Sequence, residues 1–121
     1  MFRTAHDLYR TQTNLANTTP AACADATDNI TFMLWPEGIH GGIPGATWLK
    51  PGAEVSFFNA DSQTHRITVS PAGLLSKQSF DVPPGTKVTT RVTITPTQAT
   101  GGSLIDSVPP GRSVHDIIIC P

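Results

Sequence analysis

Eleven prolines and ten glycines are spread along 121 residues, and they cut the chain into short runs. Proline fixes φ and lacks a backbone donor, while glycine destabilises the interior of a regular element, so the two together act as punctuation. The runs between them are rich in Thr, Ser, Val and Ile, residues that fit a pleated, half-buried surface. Charged residues make up only 14% of the chain, below the roughly 25% usual for soluble domains. Many short strands joined by turns are expected.

The strands can be located one by one. ITFMLW (Ile30 to Trp35) is a nearly continuous apolar run that stops at Pro36, the pattern of a strand buried on both faces or crossing the edge of a core. EVSFF (Glu54 to Phe58) and RITVS (Arg66 to Ser70) alternate with a period of two, as half-buried antiparallel strands do. The NADSQTH between them is rich in residues that bond their own backbone in turns. KVTTRVTIT (Lys87 to Thr95) sets Val88, Val92 and Ile94 on one face. SLIDSV and SVHDIIIC flank a Pro-Pro-Gly turn at 109–111 and predict a hairpin. In the last run His115, Ile117 and Ile119 share a face. PEGIHGGIPG (Pro36 to Gly45), with His40 at its centre, predicts an irregular loop.

Length allows one domain. Residues 1–22 differ in pattern, with Leu8, Tyr9, Gln12 and Leu15 spaced for a short helix behind Asp7, and are expected to form an N-terminal arm. Residues 23–121 form the domain: an all-β, layered sandwich of six to eight short strands.

Eight basic residues against nine acidic ones give a formal net charge of -1. That excludes the massed positive surface of a general nucleic-acid binder. No run approaches the roughly 18 apolar residues of a membrane span, and the first residues lack the apolar core of an export signal. Cys23 and Cys120 belong to no CxxC motif. With no zinc-type grouping and no thiolate-stabilising neighbourhood, a Cys23–Cys120 disulfide is the economical reading. It would place the protein in an oxidising compartment, periplasmic or extracellular. The carboxylates show no paired spacing for acid/base catalysis, and no GxSxG, HExxH or phosphate-cradling loop occurs. A non-enzymatic protein is expected.

The run WLKPGAEVSFFNADSQTHRITV (Trp48 to Val69), followed by SFDVPPGT (Ser79 to Thr86), resembles the cupredoxins. A Gly before a strand, an Asn-x-Asp turn, a His opening the next strand and a later Pro-Gly recur there in this order. The resemblance covers roughly the middle third of the chain and implies a cupredoxin-like Greek-key β-sandwich. It also implies that His65 occupies the position of a first copper ligand. The loop that supplies the remaining ligands in that family reads DSVPPGRSVH here, Asp106 to His115, and holds neither cysteine nor methionine. A thiolate-supported blue-copper centre is therefore not expected.

Two readings of His65 stay open. In one, His65, His40 and His115 gather into a thiolate-free Cu(II) site, with His6 as a further imidazole. In the other, no cofactor is bound and His65 is a polar residue closing the NADS turn. The functions follow: an exported cupredoxin-like protein that holds copper for carriage or tolerance, or a metal-free sandwich serving as a binding or assembly module of a surface or secretion structure. In the second case a protein partner would meet the loop bracketed by Trp35 and Trp48.

Overall fold

A computed structural model describes residues 20–41, 46–108 and 112–121. The helix expected near residues 7–15, and His6, lie outside them. A 3-10 turn, Ala21–Asp25, leads into eight strands: β1 (Thr27–Trp35), β2 (Gly38–His40), β3 (Thr47–Asn59), β4 (His65–Ser70), β5 (Ser79–Val82), β6 (Lys87–Arg91), β7 (Thr100–Asp106) and β8 (Ser113–Ile119). The hydrogen-bonded order is β2-β1-β3-β8-β7-β4-β5, with β6 also on β3.

One strand makes this a sandwich. The first residues of β3, Thr47 to Leu49, pair with β8, whereas Glu54 to Phe58 pair with β6 and also with β1. Between the two halves stand Pro51 and Gly52, and Gly52 has φ 79°, a conformation that side-chain-bearing residues rarely adopt. The strand turns a corner there and passes from one layer to the other.

Side chains alternate inward from both layers. Phe32, Leu34, Val55 and Phe57 come from one layer, and Ile67, Val69, Leu104, Ile117 and Ile119 from the other, all essentially without solvent contact. The Phe32 and Phe57 rings stack at 5.5 Å between centroids. Burying each such side chain contributes about 1.5–3 kcal/mol relative to leaving it exposed.

Three expectations are corrected. ITFMLW is not buried on both faces: Phe32 and Leu34 are fully buried, Met33 is partly covered, and Trp35 is 42% exposed. The glycine-rich stretch after Pro36 is not wholly irregular, because Gly38, Ile39 and His40 pair back onto Trp35, Leu34 and Met33 as β2. A polar turn at Pro36 and Glu37 suffices to reverse the chain, and three residues are too few for a periodic signal. The sheets are also mixed, since β1 and β8 both run parallel to β3. Strand period reports burial, not direction, so this was invisible in the sequence. The β7–β8 hairpin forms as expected, with Leu104 opposite His115.

The disulfide is present. Cys23 and Cys120 are joined with their Cα atoms 5.8 Å apart, across 97 positions of sequence. The amide of Cys120 also donates to the Leu49 carbonyl at 2.8 Å. The bond thus fastens the 3-10 turn to the end of β8.

Candidate functional site

The turn between β3 and β4 is built around one fully buried amide, Asn59. Its Oδ1 accepts from the amide of Asp61 at 2.7 Å, and its Nδ2 donates to the carbonyls of Gln63 and Val82 at 2.6 and 2.8 Å. Every polar atom of that side chain faces backbone, which holds the turn in one shape and ties it to β5. Asp61 is thereby aimed back at the residue four positions later.

That residue, His65, opens β4 with its ring wholly buried. Its Nε2 lies 2.9 Å from Oδ2 of Asp61, and its Nδ1 lies 2.5 Å from Oδ2 of Asp106 at the end of β7. Asp106 is itself fully buried, and its other oxygen accepts from the amide of Val108 at 3.1 Å. Oδ1 of Asp61 likewise accepts from the amide of Ser62 at 2.6 Å. The ring nitrogens diverge, so the two carboxylates sit on opposite sides of the imidazole and share no central point.

Burial alone would push the His65 ring toward its neutral form. Hydrogen bonds to Asp61 and Asp106, with the attraction of both negative charges, outweigh it and raise the pKa above the ordinary histidine value. Asp61 shifts the other way: its hydrogen bond to His65 holds the carboxyl below the usual range, against a smaller effect of burial and with help from Ser62.

These opposite shifts set a pH profile. A histidine raised by folding stabilises fully below its unfolded value of about 6.5, and this contribution is lost as pH rises through the folded pKa. A carboxyl lowered by folding stabilises above its unfolded value near 3.8, and this is lost as pH falls through the folded pKa. Urea midpoints measured between pH 3 and pH 9 are expected to be highest from roughly pH 4 to 6.5 and to decline on both sides. A midpoint that climbs steadily past neutrality would contradict the assignment.

The other two histidines stand apart from this network. His115 faces inward from β8, shares a 2.8 Å hydrogen bond with Thr47 Oγ1, and sets its ring edge-on to Phe32 at 5.1 Å. Burial pushes its pKa down, opposed in part by Asp116. In the strand register His115 lies opposite Leu104, which lies opposite Val69. His65 is four residues earlier on β4, a displacement of about 13 Å along the strand. His40 pairs with Met33 on the outer face, half exposed, 3.6 Å from Glu37 and with its ring edge-on to Trp35. Coordination needs nitrogens about 2.0–2.1 Å from one ion, and the structure brings no two of the three histidines to a common point. Among the described residues, no group of three or more His, Cys, Asp or Glu side chains is arranged to hold a metal ion.

The donor set also differs from that of a blue-copper centre. Both cysteines are consumed in the disulfide, so neither offers a thiolate. His65 has a carboxylate on each nitrogen where a ligand would need a free lone pair.

Asn59, Asp61 and Asp106 do not stand out as a set in the sequence, although two signals are there. Asp61 precedes His65 by four residues. Asp106 alternates with Leu104 on the core-facing side of its strand, where an acidic residue requires a partner.

No protein-family model matches the sequence, and no curated protein does. Solved structures match through the fold. A purple cupredoxin from Nitrosopumilus maritimus aligns with TM-score 0.51 and 15% identity over 77% of this chain and 99% of its own. A reduced amicyanin variant aligns with TM-score 0.53 and 13% identity over 85% and 92%. A Cu-containing nitrite reductase from Thermus scotoductus SA-01 aligns with TM-score 0.52 and 17% identity, covering 75% of this chain and 22% of the reductase. At such identities the likeness concerns the backbone arrangement and not the chemistry of the site. The chain therefore has the cupredoxin-like fold, with a buried Asp-His-Asp network where the middle-third resemblance expects a first copper ligand.

Proposed function

We propose that this protein is an exported, non-enzymatic cupredoxin-like module that acts by binding a partner and not by carrying copper. The observation that carries the proposal is the state of His65, both of whose ring nitrogens face carboxylates. Copper there would have to displace a charged hydrogen bond in a fully buried site. The disulfide supports an oxidising compartment, periplasmic or extracellular. No helix among the described residues is long and apolar enough to cross a membrane.

A binding surface of suitable character lies on the outer face of β1, β2, β3 and β6. His40, Met33, Phe58 and Lys87 follow one another across the strands in register, and the exposed Trp35 stands beside them. Aromatic and methionine side chains of this kind are enriched where proteins meet. Copper carriage through His40, His65 and His115 has the fold in its favour, since its structural neighbours include copper proteins. The placement of the three imidazoles opposes it.

Titration of the chelator-treated protein with Cu(II), against a competing ligand, separates the two. The expected result is no stoichiometric binding beyond that of a His40→Ala, His65→Ala, His115→Ala triple variant, and no thiolate-copper absorbance. One equivalent of copper bound by the native chain and lost on His65→Gln would sink the metal-free reading.

A further inference from the structure

We propose that Asp61, His65 and Asp106 form a proton-charged clamp, in which an imidazolium with a hydrogen on each nitrogen ties the β3–β4 turn to the end of β7. The proposal rests on the metal-free reading of the same site and deepens it: a proton performs the cross-linking for which the residues do not fit a metal.

The geometry bears on the charge state. A neutral imidazole has one N–H and one lone pair, and a lone pair directed at a carboxylate is repelled. Here carboxylate oxygens lie within hydrogen-bond distance of both nitrogens. The doubly protonated ring satisfies both, and among the described residues no buried side-chain nitrogen or oxygen is left without a partner. Charge-assisted bonds of this type are roughly twice as strong as neutral ones.

The clamp reaches beyond its three side chains. The second oxygen of each carboxylate holds a backbone amide, Ser62 on one side and Val108 on the other. The amide of Ser107 meanwhile donates to the carbonyl of Arg66, the residue after the histidine. Amide, carboxylate, imidazolium, carboxylate and amide form one chain of contacts from the β3–β4 turn to the segment that leaves β7. Removing the proton weakens it at its centre and releases both segments together.

No other charged group among the described residues competes for the ring. The β3–β4 turn contributes Asp61 and β7 contributes Asp106, while Asn59 of β3 and Val82 of β5, opposite His65 in register, do not titrate. Arg66 faces outward and pairs with Asp81 at 2.9 Å. On β8, His115 is remote, displaced along the strands by its pairing with Leu104. The clamp is therefore set by one proton between two acids, and it opens on the alkaline side.

Nitrogen-15 NMR of the whole, chelator-treated chain tests this without any mutation. The expected spectrum at pH 6 shows His65 with two ring N–H groups, titrating above the ordinary histidine value of about 6.5. Hydrogen exchange at the amides of Ser62 and Val108, corrected for base catalysis, should quicken as pH passes that midpoint. Asp106→Asn and Asp61→Asn should each lower the midpoint, and on its alkaline side each pH unit of lowering leaves about tenfold less of the imidazolium form. A single ring N–H on His65 from pH 5 to 8 would overturn the clamp while leaving the copper result untouched. So would an unchanged midpoint in both variants. Stoichiometric copper binding by a chain whose His65 shows two N–H groups in the metal-free state would overturn the metal-free reading and leave the clamp in place.

Discussion

Asp106→Ala is expected to lower the unfolding free energy by about 3–5 kcal/mol, the cost of leaving a buried charge without its partner. The side chain is wholly buried, and it supports both the His65 ring and the amide of Val108. Alanine removes both contacts and leaves the buried His65 ring and the Val108 amide each short of an acceptor. His65→Ala is expected to cost a similar amount, because it strands Asp106 instead. The double variant should lose clearly less than the sum, since the His65–Asp106 contact is counted in both single variants and can be lost only once. Urea denaturation at pH 6, where the imidazolium form prevails, checks all three. Strict additivity would show that the two residues stabilise the fold independently and that the contact between them contributes little.

Removing the disulfide has the second large effect. A closed loop of about 100 residues restricts the denatured chain by up to about 4–5 kcal/mol in the chain-entropy account, and removal of native disulfides from small secreted domains costs about 2–5 kcal/mol in practice. The 97-residue separation between Cys23 and Cys120 places this bond near the upper end. A Cys23→Ser, Cys120→Ser protein should therefore unfold at markedly lower urea concentration, with the 3-10 turn detaching before the sheets separate. The core of Phe32, Phe57, Leu104, Ile117 and their neighbours does not depend on the bond, so the double variant should still fold in the cold. Equal urea midpoints with and without reductant would mean that the denatured chain is already compact enough to make the constraint redundant.

The two effects belong to different ends of the molecule. The disulfide lies beside Leu49 and Ile119, where β3 and β8 run together. The Asp-His-Asp network lies at the far end of β4 and β7. Since the two share no partner, their costs should add in a combined variant.

Much of the fold was legible in the order of residues. Alternation in EVSFF, RITVS and SVHDIIIC reported which side chains face the core, because a strand presents successive side chains to opposite faces whatever its neighbours are. The turn at Asn59 to His65 could be read from side chains that bond their own backbone, a local property. The lone pair of cysteines, with no other chemistry to serve, announced the disulfide. Apart from the β7–β8 hairpin, strand partners were not legible: β3 and β4 follow one another in sequence, yet β4 pairs with β5 and β7. Pairing depends on where β3 turns its corner at Gly52, and a bend shows only as a Pro-Gly step that turns use as well.

The site divides in the same way. By itself the sequence determined that a histidine opens β4 behind an Asn-x-Asp turn, and that no cysteine or methionine stands in the loop after β7 to complete a blue-copper centre. Only the tertiary structure decided what that histidine does. Asp106 is 41 positions from His65, and nothing local couples them. Their meeting requires β7 to lie beside β4 with Ile67 opposite Asp106. The same register carries His115 about 13 Å away along the strand, and the pairing of β2 with β1 sets His40 opposite Met33 on the outer face. Which groups reach one ring is a matter of strand order and register, long-range quantities that a period of two does not encode.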